Sequence, residues 1–283
     1  MGVKEHLADY AEYLRLNKTL AVKSKKKYIS IARLYLMTSN AHVSLDSLNS
    51  FISDTNKGNK QCQNYKYALK VYCEYLNHKD WGEKLLKVRA KPRKKQFNYV
   101  SNEILNKILR GMPKVFKRIA FVQLKSGSRF TETILLKIEN IDFNVHPDLI
   151  YITVGQYAKG GKTRKLRLHK KYAPMLKEWM NGRTWGFLFL KPEYITKVGE
   201  EVDAYADNQL RYYNEQLGRL GNLYGVDNLS SHYLRHLFAD NYMKHGGSES
   251  KLKDILGHAR IETTLRYISI QDRLADEVMV NMG

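Results

Sequence analysis

Apolar residues recur at helical spacing through most of the first 87 positions. "VKEHLADYAEYL" places Leu7, Tyr10 and Leu14 on one face, and "KYISIARLYLM" does the same with Tyr28, Ile31, Leu34 and Tyr35. "VSLDSLNSFI" opens with an N-cap candidate, Ser44 or Asp46, and "NYKYALKVYCEYL" supplies Tyr65, Leu69, Tyr72 and Leu76. The pattern predicts about four helices before residue 88. It then stops. "KVRAKPRKKQFNYVS" (87–101) sets Pro92 in a dense run of positive charge, without hydrophobic period, and reads as a basic linker.

Periodicity resumes at "SNEILNKIL", with Ser101 as cap, and "FKRIAFVQLKSGSRFTETILLKI" holds two helices broken at Ser126-Gly127-Ser128. The period then changes. "LIYITVG" (149–155) and "RKLRLHK" (164–170) alternate with period two, and the glycine-containing "QYAKGGKT" between them makes the pair a β-hairpin. Helices dominate again from Tyr172, with a loop at "GNLYGVDNLS". The expected class is mainly α (α+β): a helical N-terminal domain at 1–88, a linker at 89–99, and a mostly helical domain at 100–283 with a small antiparallel β-sheet.

Composition narrows the function. The 48 Lys and Arg against 28 Asp and Glu leave a net charge of +20 over 283 residues, an excess that suits a polyanionic partner, nucleic acid above all. "KSKKK" (23–27) could lie along phosphates or form a solvated helix start. The 20 tyrosines could stack or pack along a nucleic-acid backbone, though packing in cores should take most of them. Two cysteines, Cys62 and Cys73, are too few for a disulfide framework, so a reducing compartment is expected. "MGVKEHLADY" lacks the apolar run of a signal peptide and, with His6 where Ser or Thr is needed, the myristoylation pattern; no apolar run approaches a membrane span. A soluble, cytoplasmic, DNA-associated protein without a membrane partner is the expectation.

Three familiar chemistries do not fit. "GQYAKGGKT" has five residues between Gly155 and Gly161, one too many for a phosphate-binding loop, and a strand follows it. His232 and His236 stand four apart as in a zinc pair, but Tyr233 occupies the place of the glutamate in H-E-x-x-H. "GSRFT" does not supply the G-x-S-x-G of a serine hydrolase.

What remains is Arg129, Lys159, His232, Arg235, His258 and Tyr267. "SGSRFTETILLKIENID" resembles the first arginine box of the tyrosine recombinases, the family of Xer, Cre and phage integrases. "AKGGKTRKLRL" resembles their β-hairpin lysine turn, and "HYLRHLFADNYMKHGG" their His-x-x-Arg helix. "LGHARIETTLRYI" resembles their Leu-Gly-His box, with a tyrosine nine residues beyond its histidine. The four stand in family order over roughly residues 100–283, and the helical domain at 1–88 resembles the family's SAM-like core-binding domain more loosely. Two departures stand out: Ser126-Gly127-Ser128 where Thr-Gly-Leu is frequent, and Ser231 where a proline commonly precedes the histidine. The resemblance is nearer to the compact Xer type, in which no arm-binding domain is expected before the helical one.

The resemblance implies a metal-free phosphoryl transfer without cofactor. Arg129 and Arg235 would grip the non-bridging oxygens, since guanidinium keeps its charge and binds bidentately. His258 would add a donor, Tyr267 would attack, His232 would act as base, and Lys159 would protonate the leaving 5′ oxygen. Lys162 and Lys165 stand close enough to compete for that last role. Glu132 would support Arg129, or merely pair with it as a structural ion pair, and His236 reads as structural. A homotetramer on paired duplexes is the implied assembly, joined through the tail after Tyr267 unless that tail packs onto its own domain; accessory partners, if any, are not written in the sequence. Two alternatives stay open here: a type IB topoisomerase-like nicking-closing enzyme and a catalytically idle DNA-binding protein.

Overall fold

The computed structural model describes residues 2–54, 59–88, 100–155, 163–190, 192–194 and 199–257. The chain divides into two compact units, Met1–Gln96 and Phe97–Gly283. The architecture is mainly helical with a small antiparallel sheet, as the periodicities predict.

Among the described residues, five helices make the first unit: α1 (Val3–Asn17), α2 (Val22–Thr38), α3 (Leu45–Asp54), α4 (Asn59–Tyr75) and α5 (Lys79–Lys87). α1 buries the expected Leu7, Tyr10 and Leu14. On α2 the buried stripe is Ile31, Ala32, Tyr35 and Leu36, while Leu34 is exposed. At about 100° per residue, Leu34 falls well off the centre of that stripe. Ser44, not Asp46, caps α3: its Oγ accepts from the Ser47 amide at 3.1 Å, and Ser47 Oγ accepts from the Ser44 amide at 3.0 Å. α5 is the helix the pattern does not announce; in nine residues it buries only Gly82 and Leu85.

Tyrosine fills this core. Tyr10, Tyr35 and Tyr72 are fully buried, and Tyr10 meets Tyr72 edge to face with ring centroids 5.1 Å apart. Two of the three hydroxyls find partners at the margin, Tyr35 Oη 2.5 Å from Ser47 Oγ and Tyr72 Oη 2.6 Å from His6 Nε2, while Tyr10 Oη is buried with no hydrogen bond among the described residues. Packing therefore uses much of the tyrosine that composition left open.

The second unit opens with α6 (Asn102–Arg110), α7 (Lys114–Ser126) and α8 (Phe130–Ile134). Ser101 caps α6, accepting from the Ile104 amide at 3.3 Å. Strands β1 (Ile141–Asp142), β2 (Leu149–Val154) and β3 (Arg164–His169) form an antiparallel sheet in that order, with Ile150 opposite Leu168 and Ile152 opposite Leu166. The alternation works as predicted. Ile150, Ile152, Val154, Leu166 and Leu168 are buried, and Lys165, Arg167 and His169 face out. β1, at two residues, is too short to leave a periodic signal.

α9 (Ala173–Met180), α10 (Glu200–Leu223), α11 (Ser231–Lys244) and α12 (Glu249–Leu256) follow. Between α9 and α10 an irregular strap returns to the sheet side, where Leu188 donates to the Leu136 carbonyl at 2.8 Å. α10 runs on to Leu223, so the loop expected from Gly221 is shorter than its glycines suggest. α7 is the unit's axis: Ile119, Ala120 and Val122 have no exposed surface, and α11 packs along it.

Candidate active site

α7 ends where its sequence says it must. Gly127 adopts φ +65°, and its amide donates to the Gln123 carbonyl at 2.9 Å, so the chain leaves the helix through a left-handed residue. A Cβ here would lie 2.5 Å from Phe238 Cδ1, so space as well as conformation calls for glycine. The turn is then locked from inside. Gln123 Nε2 donates to the Ser128 carbonyl at 3.3 Å, Tyr213 Oη donates to Gln123 Oε1 at 3.0 Å, and Ser128 Oγ meets Thr133 Oγ1 at 2.6 Å. Ser128, the departure from the family's Thr-Gly-Leu, thus has a buried partner.

Arg129 follows as the N-cap of α8. Glu132, three residues on, accepts the Arg129 amide on Oε2 at 2.6 Å and Arg129 Nη1 on Oε1 at 2.9 Å. The ion pair expected of these residues forms, and it leaves Arg129 with 40% of its side chain exposed while that of Glu132 keeps 5%. Arg129 Nη2 also reaches the Gly257 carbonyl at 3.3 Å.

Arg235 enters from α11 with 1% of its surface exposed. Nη1 donates to the Gly127 carbonyl at 2.6 Å, and Nη2 donates to the Leu256 carbonyl. Both acceptors lie at helix C-termini, α7 and α12, where the macrodipole favours a cation. The two sequence-predicted arginines are thereby brought to the same pair of turns, Gly127–Arg129 and Leu256–Gly257. His232 stands three residues before Arg235 on α11, with its side chain exposed. Ser231 has its amide met by Asn214 Oδ1 at 2.8 Å.

His236 is half-buried; burial, then the charges of His232 and Arg235, lower its pKa to about 4. It is neutral at pH 7. One turn further, Asp240 is buried with neither carboxylate oxygen hydrogen-bonded among the described residues, and burial, opposed by Lys244, raises its pKa to about 6.

Lys159, Lys162, His258 and Tyr267, with the tail after it, lie outside the described residues. Lys165 is described: it sits on the outward face of β3, its Nζ 5.8 Å from the Tyr151 ring centroid. Among the described residues no three His, Cys, Asp or Glu side chains are grouped as metal ligands.

The sequence reading missed Arg164. The first residue of β3, it donates from Nε to Glu132 Oε1 at 3.2 Å and from Nη2 to Glu132 Oε2 at 2.7 Å, and Nη1 donates to the Ile255 carbonyl. Burial alone would raise the Glu132 pKa; the hydrogen bond and charge of Arg164, then the amide and charge of Arg129, outweigh it and hold the carboxyl below its ordinary value. A signal for Arg164 did exist. It shares strand parity with Leu166 and Leu168, and a charge on the buried parity needs a partner.

A family model for the phage integrase family matches residues 94–273, which include both arginine turns. The chain belongs to the phage integrase family. Among relatives, it is 29% identical over 194 residues to the integrase of Escherichia phage P2, covering 68% of this chain and 49% of that protein. It is 27% identical over 153 residues to a tyrosine recombinase of Pseudothermotoga lettingae, covering 52% and 46%. The chain thus spans about half the length of these curated relatives. Among solved structures, the XerH site-specific recombinase bound to a palindromic difH substrate superposes with a TM-score of 0.62 at 18% identity, over 99% of this chain and 85% of that one. At that identity the likeness speaks for the fold. Within this phage integrase family member, both arginine boxes and the Leu-Gly turn have now been placed in space.

Proposed function

We propose that this chain is a site-specific DNA recombinase that cuts and rejoins strands through a covalent 3′-phosphotyrosyl intermediate. The observation that carries the reading is the meeting of Arg129 and Arg235 at the Gly127 and Gly257 turns, inside a phage integrase match. Two guanidinium groups held there suit a pentacovalent phosphate, whose charge must be neutralised as the transition state forms. Tyr267 Oη attacks phosphorus, its proton passes to His232, the bond from phosphorus to the 5′ oxygen breaks, and Lys159 protonates that oxygen. His258 donates to a non-bridging oxygen. One phosphoester replaces another, so rejoining needs no external energy.

Three of the buried tyrosines make poor nucleophiles. Burial pushes the pKa of Tyr10, Tyr72 and Tyr213 well above the ordinary phenol value, opposite to what attack requires. In this reading residues 1–88 are the core-binding domain, 89–99 a basic linker across the duplex, and 100–283 the catalytic domain. The working form is a homotetramer on paired duplexes joined through C-terminal tails, in the cytoplasm.

The test uses a nicked suicide duplex, from a randomised pool enriched by binding, with EDTA present throughout. Wild-type protein should yield an SDS-resistant protein–DNA adduct, and Tyr267→Phe should yield none. An adduct from both would move the nucleophile elsewhere; good binding with no adduct from either would leave a DNA-binding protein without cleavage.

A further inference from the structure

We infer that Arg164 is a positioning residue for Arg129, acting through Glu132; this rests on the recombinase reading. Two segments far apart in sequence, α8 with Arg129 and β3 with Arg164, converge on one buried carboxylate. Glu132 takes two donors from Arg129, its amide and Nη1, and two from Arg164, Nε and Nη2. Each carboxylate oxygen accepts one bond from each arginine. The third arm of Arg164 ties this unit to the last turn of α12 through the Ile255 carbonyl.

The arrangement distinguishes the two arginines. Arg164 keeps 11% of its side chain exposed and spends its planar fork on Glu132, whereas Arg129 keeps 40% and turns outward. Arg164 is therefore placed to hold, and Arg129 to be held. Without Arg164, Glu132 would face one cation instead of two from a buried position, and its carboxylate could rotate towards solvent or towards Arg129 alone. The Arg129 guanidinium would lose its fixed orientation while keeping its charge.

Gly257 gives independent support. It adopts φ +63°, and a Cβ there would lie 2.8 Å from Arg164 Cδ and 3.2 Å from Arg164 Nε. The glycine of the Leu-Gly-His box thus leaves room for Arg164 to pass, while its own carbonyl accepts from Arg129. One residue serves both arginines, so β3, α8 and the end of α12 set each other's geometry. Lysine cannot replace this fork, because an ammonium is a point charge and cannot bind both oxygens in one plane.

The experiment measures single-turnover cleavage at saturating protein, duplex affinity and thermal stability for wild type, Arg164→Lys, Glu132→Gln and the double variant. Arg164→Lys keeps a cation beside Glu132, which protects the fold. Misplacing a reacting group by an ångström costs about 100-fold, so R164K should cleave about 10- to 100-fold slower, with affinity within about threefold of wild type and melting temperature nearly unchanged. The double variant should be no slower than the slower single variant, as for residues acting as one unit. Cleavage by R164K within twofold of wild type would overturn the inference. So would a cleavage loss that merely tracks lost affinity or stability, or single-variant losses that multiply in the double. A wild type that binds duplex but forms no adduct would instead strike the recombinase reading, and this inference with it.

Discussion

Arg235 Nη1 lies 2.6 Å from the carbonyl oxygen of Gly127, 108 positions earlier in the chain. The same guanidinium also meets the Leu256 carbonyl, so one buried side chain closes the ends of two helices. Arg235→Ala would leave both carbonyls short of a donor and open a cavity. Each unsatisfied buried group costs about 1–3 kcal/mol, so a total loss of about 3 kcal/mol or more is expected. Urea unfolding of the full chain checks it, and a loss under about 1 kcal/mol would show that neither carbonyl depends on Arg235.

Gly127 yields a second prediction with an internal control. Its left-handed φ costs a side chain about 1 kcal/mol, and the approach to Phe238 adds overpacking of about 1–3 kcal/mol. Gly127→Ala should therefore destabilise by about 2–4 kcal/mol in wild type and by less in a Phe238→Ala background, where the left-handed φ and the approach to Leu256 Cδ2, at 2.9 Å, remain. Equal costs in both backgrounds would remove the contact from the explanation.

How these residues come together was only partly written in the sequence. Leu7, Tyr10 and Leu14 declared a helix face because burial repeats every turn, and Gly127 declared a break because few other residues leave a helix left-handed. Leu34 misled because two overlapping stripes fit the same apolar residues, and packing chose the one without it. Arg129, Glu132 and Arg235 were legible through their boxes. Arg164 showed only in its strand parity with Leu166 and Leu168; the partner that makes its charge tolerable there, Glu132, is a three-dimensional neighbour that the parity does not name. The carbonyl partners of Arg235 were equally hidden: backbone acceptors leave no mark in a sequence.

His236 and Asp240, one turn apart on α11, should pull stability in opposite directions with pH. The His236 pKa falls on folding from 6.5 to about 4, so its contribution is full above 6.5 and is lost as pH drops through about 4. The Asp240 pKa rises from 3.8 to about 6, so its contribution is full below 3.8 and is lost as pH rises through about 6. Asp240→Asn should raise the melting temperature at pH 7.5 by about 2–6 °C while changing it little at pH 4. His236→Gln should lessen acid sensitivity between pH 6.5 and 4. Melting curves across this range decide; a gain from D240N that is the same at pH 4 and 7.5 would mean that its charge is not the cause.

The net charge of +20 makes a claim about salt. Each phosphate neutralised by Lys or Arg contributes about 0.9 to the slope of log affinity against log salt. Lys26 and Lys27 are exposed near the start of α2, in the lysine run that could follow a phosphate backbone or simply face water. If they contact phosphates, Lys26→Gln/Lys27→Gln should weaken duplex binding across unrelated sequences and reduce the slope by up to about 1.8. If they face water, affinity drops slightly at low salt and the slope is unchanged, because screened charges acting at a distance release no condensed counterions. Titrations at four salt concentrations, with wild type and the double variant on one duplex, separate the two. An affinity of the wild type that barely responds to salt would contradict the nucleic-acid reading itself, since no other source of attraction to a duplex escapes the phosphate backbone.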